Sequence, residues 1–114
     1  MPTKSKVPFV LYFGSDCADQ AATMHTYCPR WNYAVYSSFQ ADDIPEIVYQ
    51  YLRLYEFVAI VLRLPTITRE EMVKKALQEV PNRGGPRGWL LIQGDMHAAF
   101  EQIALIERRL ASQP

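Results

Sequence analysis

The stretch Phe57-Val-Ala-Ile-Val-Leu-Arg-Leu-Pro-Thr-Ile-Thr-Arg69 decides how the rest of the chain is organised. Phe57 to Leu62 is an unbroken apolar run rich in β-branched residues, too short for a typical helix and bounded by Pro65. Such a run fits a strand buried on both faces, as in the middle of a parallel sheet. It delivers Arg63 and Arg69, with Thr66 and Thr68 between them, into the segment that follows. A buried strand opening into a basic, hydroxyl-bearing loop is a place where an anion can sit.

On the N-terminal side, Val7 to Phe13 predicts a first strand, with Pro8 tolerated near its start. Gly14-Ser15-Asp16 makes the turn, and Ser15 or Asp16 is placed to cap a helix. Ala18, Ala21, Ala22, His25 and Cys28 fall at helical spacing in that helix until Pro29 stops it. Tyr33 to Phe39 predicts a second strand. Asp42 and Asp43 open a second helix with Pro45 in its first turn. Ile44, Ile47, Val48, Tyr51, Leu52 and Tyr55 form its apolar stripe. On the C-terminal side, Thr68-Arg-Glu-Glu71 has the capping-box pattern of a third helix whose inner face is Met72, Val73, Ala76, Leu77 and Val80. Pro81 to Gly88 predicts a mobile loop, Trp89 to Gln93 a fourth strand, and Gly94-Asp95 the entry to a last helix over 95–112.

Four successive strand–helix units predict an α/β domain spanning 1–114, with helices on both faces of a four-stranded, mainly parallel sheet. The commonest double winding has strand order 2-1-3-4, with a switch point between strands one and three where ligands bind. The expected crevice therefore lies between the first turn and the Arg63–Arg69 loop. Tyr12, Gly14, Asp16, Gln20, Arg63 and Thr66 are its expected lining.

A chain of 114 residues buries a real core without disulfides or a metal. Twelve basic residues against twelve acidic ones give no overall attraction for nucleic acid or anionic membrane. The polar N-terminus predicts no secretory leader, and no apolar run approaches membrane-spanning length. Cys17 and Cys28 stand at neither a zinc nor a Cys-x-x-Cys spacing, and His25 and His97 lack partners at ligand spacing. These features predict a cytoplasmic protein with reduced thiols, no metal and no cofactor.

The last helix has more apolar surface than one sheet face needs. Met96, Ala99, Ile103, Ile106 and Leu110 follow a heptad seam, and Phe100, Ala104 and Ala111 form a neighbouring stripe. One stripe can pack on the sheet and the other on a second subunit, which makes Met96, Ala99, Phe100, Ile103, Ile106 and Leu110 candidate dimer residues. The alternative is a helix buried wholly in its own domain.

Phe100-Glu101 followed by Glu107-Arg108 resembles the Phe-Glu-x5-Glu-Arg pattern that opens the dimerisation helix of serine recombinases, the resolvase/invertase group. Leu64-Pro-Thr-Ile-Thr-Arg69 is similar to a worn form of that family's Leu-Asp-Arg-Leu-(Ser/Gly)-Arg, and Tyr12 to Gln20 to its Tyr-x-Arg-x-Ser-x-x-x-Gln. The resemblance implies a resolvase-like fold, a homodimer or hetero-partner, a setting in mobile-element or phage DNA biology, and a clamp of Ser15, Arg69 and Arg108. The departures weigh against activity. In the register that keeps Tyr12 and Gln20, Gly14 replaces an arginine and Asp16 the nucleophilic serine; Ser15 lies one place off. Pro65 and Thr66 replace the family's aspartate and first arginine. A lost preorganised donor costs about 10²–10³ in rate and a transition-state arginine about 10³–10⁵. With Asp16 and Asp19 where phosphate would approach, no strand cleavage is expected.

The resemblance also implies a helix-turn-helix domain beyond the last helix, which residues up to Pro114 do not include. At zero net charge, these residues alone are not expected to bind a DNA sequence, so DNA contact would be weak or through a partner. Two rival readings remain. One is an active strand transferase with Ser15 as nucleophile and Arg63, Arg69 and Arg108 as the charge clamp. The other is a phosphocysteine carrier using Cys17 at a helix N-terminus, where thiol acidity rises, although Asp16 and Asp19 oppose it. Simpler roles compete at each position: Tyr12 in the core, Ser15 as a cap, Arg69 in a surface ion pair with Glu70 or Glu71, and Gln20, Glu101 and Arg108 on a solvated face.

Overall fold

Strands and helices alternate along the chain in a computed structural model that describes residues 3–82, 87–92 and 95–112. The order is β1 (Phe9–Phe13), α1 (Cys17–Tyr27), β2 (Asn32–Tyr36), a short 3₁₀ turn (Ala41–Asp43) and α2 (Ile44–Leu52). Then come β3 (Phe57–Leu62), α3 (Ile67–Leu77), β4 (Gly88–Ile92) and α4 (Met96–Ala111). All three strand pairings are parallel, in the order β2-β1-β3-β4, as the alternation predicts.

Central strands are covered on both faces, and this is why β1 and β3 are the most apolar. Every residue of β1 is buried, and so are Phe57 to Val61 of β3. Fully burying a Val, Leu, Ile or Phe side chain contributes about 1.5–3 kcal/mol. Alternation along β1 sends Val10 and Tyr12 to one layer, with α1 and α4, and Phe9, Leu11 and Phe13 to the other, with α2 and α3.

Element ends differ from the sequence reading for local reasons. β1 starts at Phe9 rather than Val7, because Pro8 has no N–H for the ladder and the Val7 N–H turns to Ser5 Oγ at 3.2 Å. β2 ends at Tyr36, whose carbonyl accepts from Gly14 N at 3.0 Å; Phe39 instead packs edge-on against Phe13. α3 is capped by Thr66, whose hydroxyl accepts from Arg69 N at 3.2 Å, and Thr68 is already inside the helix. Contrary to expectation Met72 is exposed, while Val73, Leu77 and Val80 are buried. Of the five residues at helical spacing in α1 and its C-cap, Ala21, His25 and Cys28 are buried and Ala18 and Ala22 face out, while Cys17 and Met24 complete the inner face. Asp16 occupies its N-cap position without a side-chain capping bond. Of the loop expected over 81–88, residues 83–86 lie outside the described residues, as does the expected strand end at Gln93; Gly88 belongs to β4 rather than to the loop.

The chain before β1 is tied to the segment that leads into β3. Ser5 bridges Tyr55, with Ser5 N donating to Leu54 O and Glu56 N to Ser5 O, each at 2.9 Å. Among the described residues, no helix is long and apolar enough to cross a membrane.

Candidate functional site

The switch point brings the first turn and the end of β3 together, as the topology requires. Arg63 N donates to Phe13 O at 2.9 Å, and Gly14 follows with φ +135°, a conformation that only glycine adopts readily. A Cβ at Gly14 would stand 1.8 Å from Arg63 O. The two segments therefore meet backbone to backbone at this point.

Cys17 lies just beneath. Its backbone N–H reaches Gly14 O at 3.4 Å and its Sγ donates to Phe13 O at 3.5 Å. Burial pushes the thiol pKa up; the Arg63 guanidinium opposes this and Asp16 adds to it. A fully buried thiol held protonated has the environment of an inert cysteine.

The remaining expected lining disperses. Ser15 and Asp16 are exposed on the turn. Tyr12 is not a crevice wall: it is fully buried in the α1/α4 layer. Thr66 is occupied as the α3 cap. The Gln20 carboxamide is enclosed, and neither its oxygen nor its nitrogen has a hydrogen-bond partner among the described residues. Arg69 has no ion pair with Glu70 or Glu71; its guanidinium lies 5.5 Å from the centre of the Phe39 ring, and the ion pair of that helix is Lys74–Glu71 at 3.6 Å.

Arg108 is farther still. α4 belongs to the opposite layer from Phe39 and Val73, beside which Arg69 rests. Arg108 follows Met96 by twelve residues, which is about 18 Å along a helix that runs back beneath the sheet. It lines a groove with Arg30, from the loop entering β2, at the amino end of the strands. Ser15, Arg69 and Arg108 are thus not brought together, and the expected clamp is not assembled.

What gathers instead is a polar lattice that the sequence does not announce. Trp31 O can only accept, so His25 Nδ1 carries the proton in their 3.0 Å bond. His25 Nε2 then accepts from Tyr12 OH at 3.0 Å, and Met24 Sδ lies 3.2 Å from the same hydroxyl. His25 also stacks on Tyr33 with centroids 4.1 Å apart. Burial lowers the His25 pKa, and burial raises that of Tyr12. Nearby, Glu107 accepts from Arg30 Nε at 2.8 Å, from Arg30 Nη2, and from Trp31 Nε1 at 3.0 Å. The Arg30 hydrogen bond, helped by Trp31 and opposed by burial, holds the Glu107 pKa below the usual carboxylate value. No spacing rule links positions 12, 25, 31 and 107; only tyrosine and tryptophan seeking partners when buried hints at it.

The expected dimer seam is spent inside the domain. Ala99, Ile103, Ile106 and Leu110 are buried against the sheet and α1, and Met96 and Phe100 are half-buried at the margin of that core. The outer face of α4 carries His97, Glu101, Leu105 and Arg108, with the small, half-buried Ala104 beside them. Leu105 is 43% exposed, and Glu101 lies 3.1 Å from His97. Tyr27, 75% exposed, borders a concavity of about 270 Å³ with Met24, Met96 and Phe100. Among the described residues, no three His, Cys, Asp or Glu side chains are grouped to hold a metal ion. Compared with protein-family models, curated proteins and solved structures, the chain gives no match.

Proposed function

We propose that this chain is a non-catalytic self-association module that uses the outer face of α4. The observation that carries this reading is the pattern on that face. Ala104 and Leu105 stand at its centre, Glu101 three positions before Ala104 and Arg108 three positions after Leu105. An antiparallel second copy, related by a two-fold axis between Ala104 and Leu105, brings each Glu101 opposite the other copy's Arg108. Leu105 then enters the groove beside Ala104 and Phe100. Such a patch is self-complementary, as a two-fold interface requires. The absence of a catalytic role is supported by the dispersal of Ser15, Arg69 and Arg108 and by the buried Cys17 thiol. A setting in mobile-element or phage DNA biology is supported by the sequence resemblance alone.

Size-exclusion chromatography with light scattering tests the association. The chain is expected to run as a dimer; Glu101→Arg or Arg108→Glu weakens it by about tenfold or more, and the double exchange restores it. A strict monomer at high concentration overturns the reading. Ile103→Asp is unsuitable for this purpose, because Ile103 is fully buried and its loss disrupts the core.

A further inference from the structure

The amino end of the sheet holds a concavity of about 420 Å³ that takes no part in the proposed association. Three separate segments close it. The Ser5–Tyr55 bridge holds Lys4 beside the last turn of α2, which supplies Tyr49, Leu52 and Arg53. Gly88 N donates to Glu56 O at 2.8 Å, which brings Arg87 to the same rim. Among the described residues three cations thus face one acid, Glu56, and that acid is committed to Arg87 at 3.6 Å. Lys4 and Arg53 have no ion pair among the described residues. The walls between the charges are apolar: Leu52 and the Tyr49 ring, 39% exposed.

The carbonyl end of α2 favours a cation and accounts for Arg53 alone. It does not account for Lys4 and Arg87, which arrive from other parts of the chain. In a molecule with no net charge, an excess of two positive charges around one concavity is a local feature. Its volume falls in the range of small-molecule sites.

We infer that this concavity binds a small phosphorylated compound with a flat ring, such as a nucleoside monophosphate. The phosphate is held by Lys4 and Arg53, and the ring lies against Tyr49 and Leu52. Guanidinium and ammonium donors suit a dianionic phosphate, and the tyrosine face suits a ring.

Isothermal titration of the full chain tests this with three probes: adenosine monophosphate, inorganic phosphate and adenosine. Saturable binding of the monophosphate is expected, tighter than either fragment by about tenfold. Arg53→Glu and, separately, Lys4→Glu each weaken it by about tenfold, while Arg109→Glu on α4, an equal change of charge, leaves it unchanged. Melting curves confirm that each variant is folded. No saturable binding of the monophosphate overturns the inference, as does binding indifferent to both Arg53→Glu and Lys4→Glu. A short oligonucleotide without a terminal phosphate that binds as tightly overturns the small-ligand assignment. Failure here leaves the α4 association untouched, because that is read from mass and not from ligand heat.

Discussion

On one face of the sheet β1 presents Val10 and Tyr12 to α1 and α4; on the other it presents Phe9, Leu11 and Phe13 to α2 and α3. The first layer is tied by directed bonds from Tyr12 to His25, His25 to Trp31, and Trp31 and Arg30 to Glu107. The second is built mainly of rings: Phe9 stacks on Tyr51 at 4.1 Å and Phe13 on Tyr36 at 5.5 Å, with directed side-chain bonds at its margin from Trp89 Nε1 to Val80 O, from Asn32 Nδ2 to the Tyr55 hydroxyl, and between the Tyr36 and Tyr51 hydroxyls. Ring packing tolerates a change of shape, whereas a buried polar lattice penalises the loss of one partner, because the other is left unsatisfied. The two layers share a sheet and still differ in what they can tolerate.

The largest expected effect comes at the seam common to both layers. Gly14→Ala forces a Cβ into the Arg63 carbonyl at a φ that side chains avoid, and the Arg63–Phe13 bond stops the strand end from giving way. A loss of more than about 3 kcal/mol is expected in urea unfolding, whichever layer is stronger. A loss below about 1 kcal/mol means the strand ends are looser than described.

The contrast itself is sharpened by the same one-oxygen change in each layer. Tyr12→Phe removes a single oxygen and strands His25 Nε2, so about 1–3 kcal/mol is expected. Tyr36→Phe also removes one oxygen, but its Tyr51 partner stands at the part-exposed rim where water replaces it, so less than about 1 kcal/mol is expected. Equal costs break the comparison.

Smaller still, and graded with pH, is the response of the polar layer to acid. His25 has a folded pKa below its ordinary 6.5, so the unfolded chain binds the proton first. Stability therefore falls as pH drops from 6.5 through the folded value. Glu107, also depressed from its ordinary value of 4.5, adds a second loss as pH falls below 4.5 through its folded value. Melting temperature against pH should show both steps, with His25→Phe removing the upper and Glu107→Gln the lower. A profile unchanged by both substitutions sinks the polar lattice as a stability element. Alkali acts on the ring layer as well. Burial, and then the Tyr36 hydrogen bond, push Tyr51 up to about 12, so its contribution is lost as pH rises from 10 towards 12.

The order of elements, the parallel sheet and the central place of Phe57 to Leu62 were legible in the chain alone. Hydrophobic runs and helix periodicity are local, and right-handed crossovers leave few ways to wind them. The junction of Gly14 with Arg63 followed from topology for the same reason. Tertiary structure alone decided that Cys17 and Met24 completed the inner face of α1, that Thr66 rather than Thr68 capped α3, and that the α4 seam was spent inside the domain. It also decided that Arg69 leaned on Phe39 and that Arg108 lay at the far end of the sheet. A helix stripe states that a face is buried and never against what. A motif states which side chains a site needs but not that a helix of sixteen residues has carried one of them away from the rest. Contacts among positions 12, 25, 31 and 107 depend on packing distances that no spacing along the chain encodes.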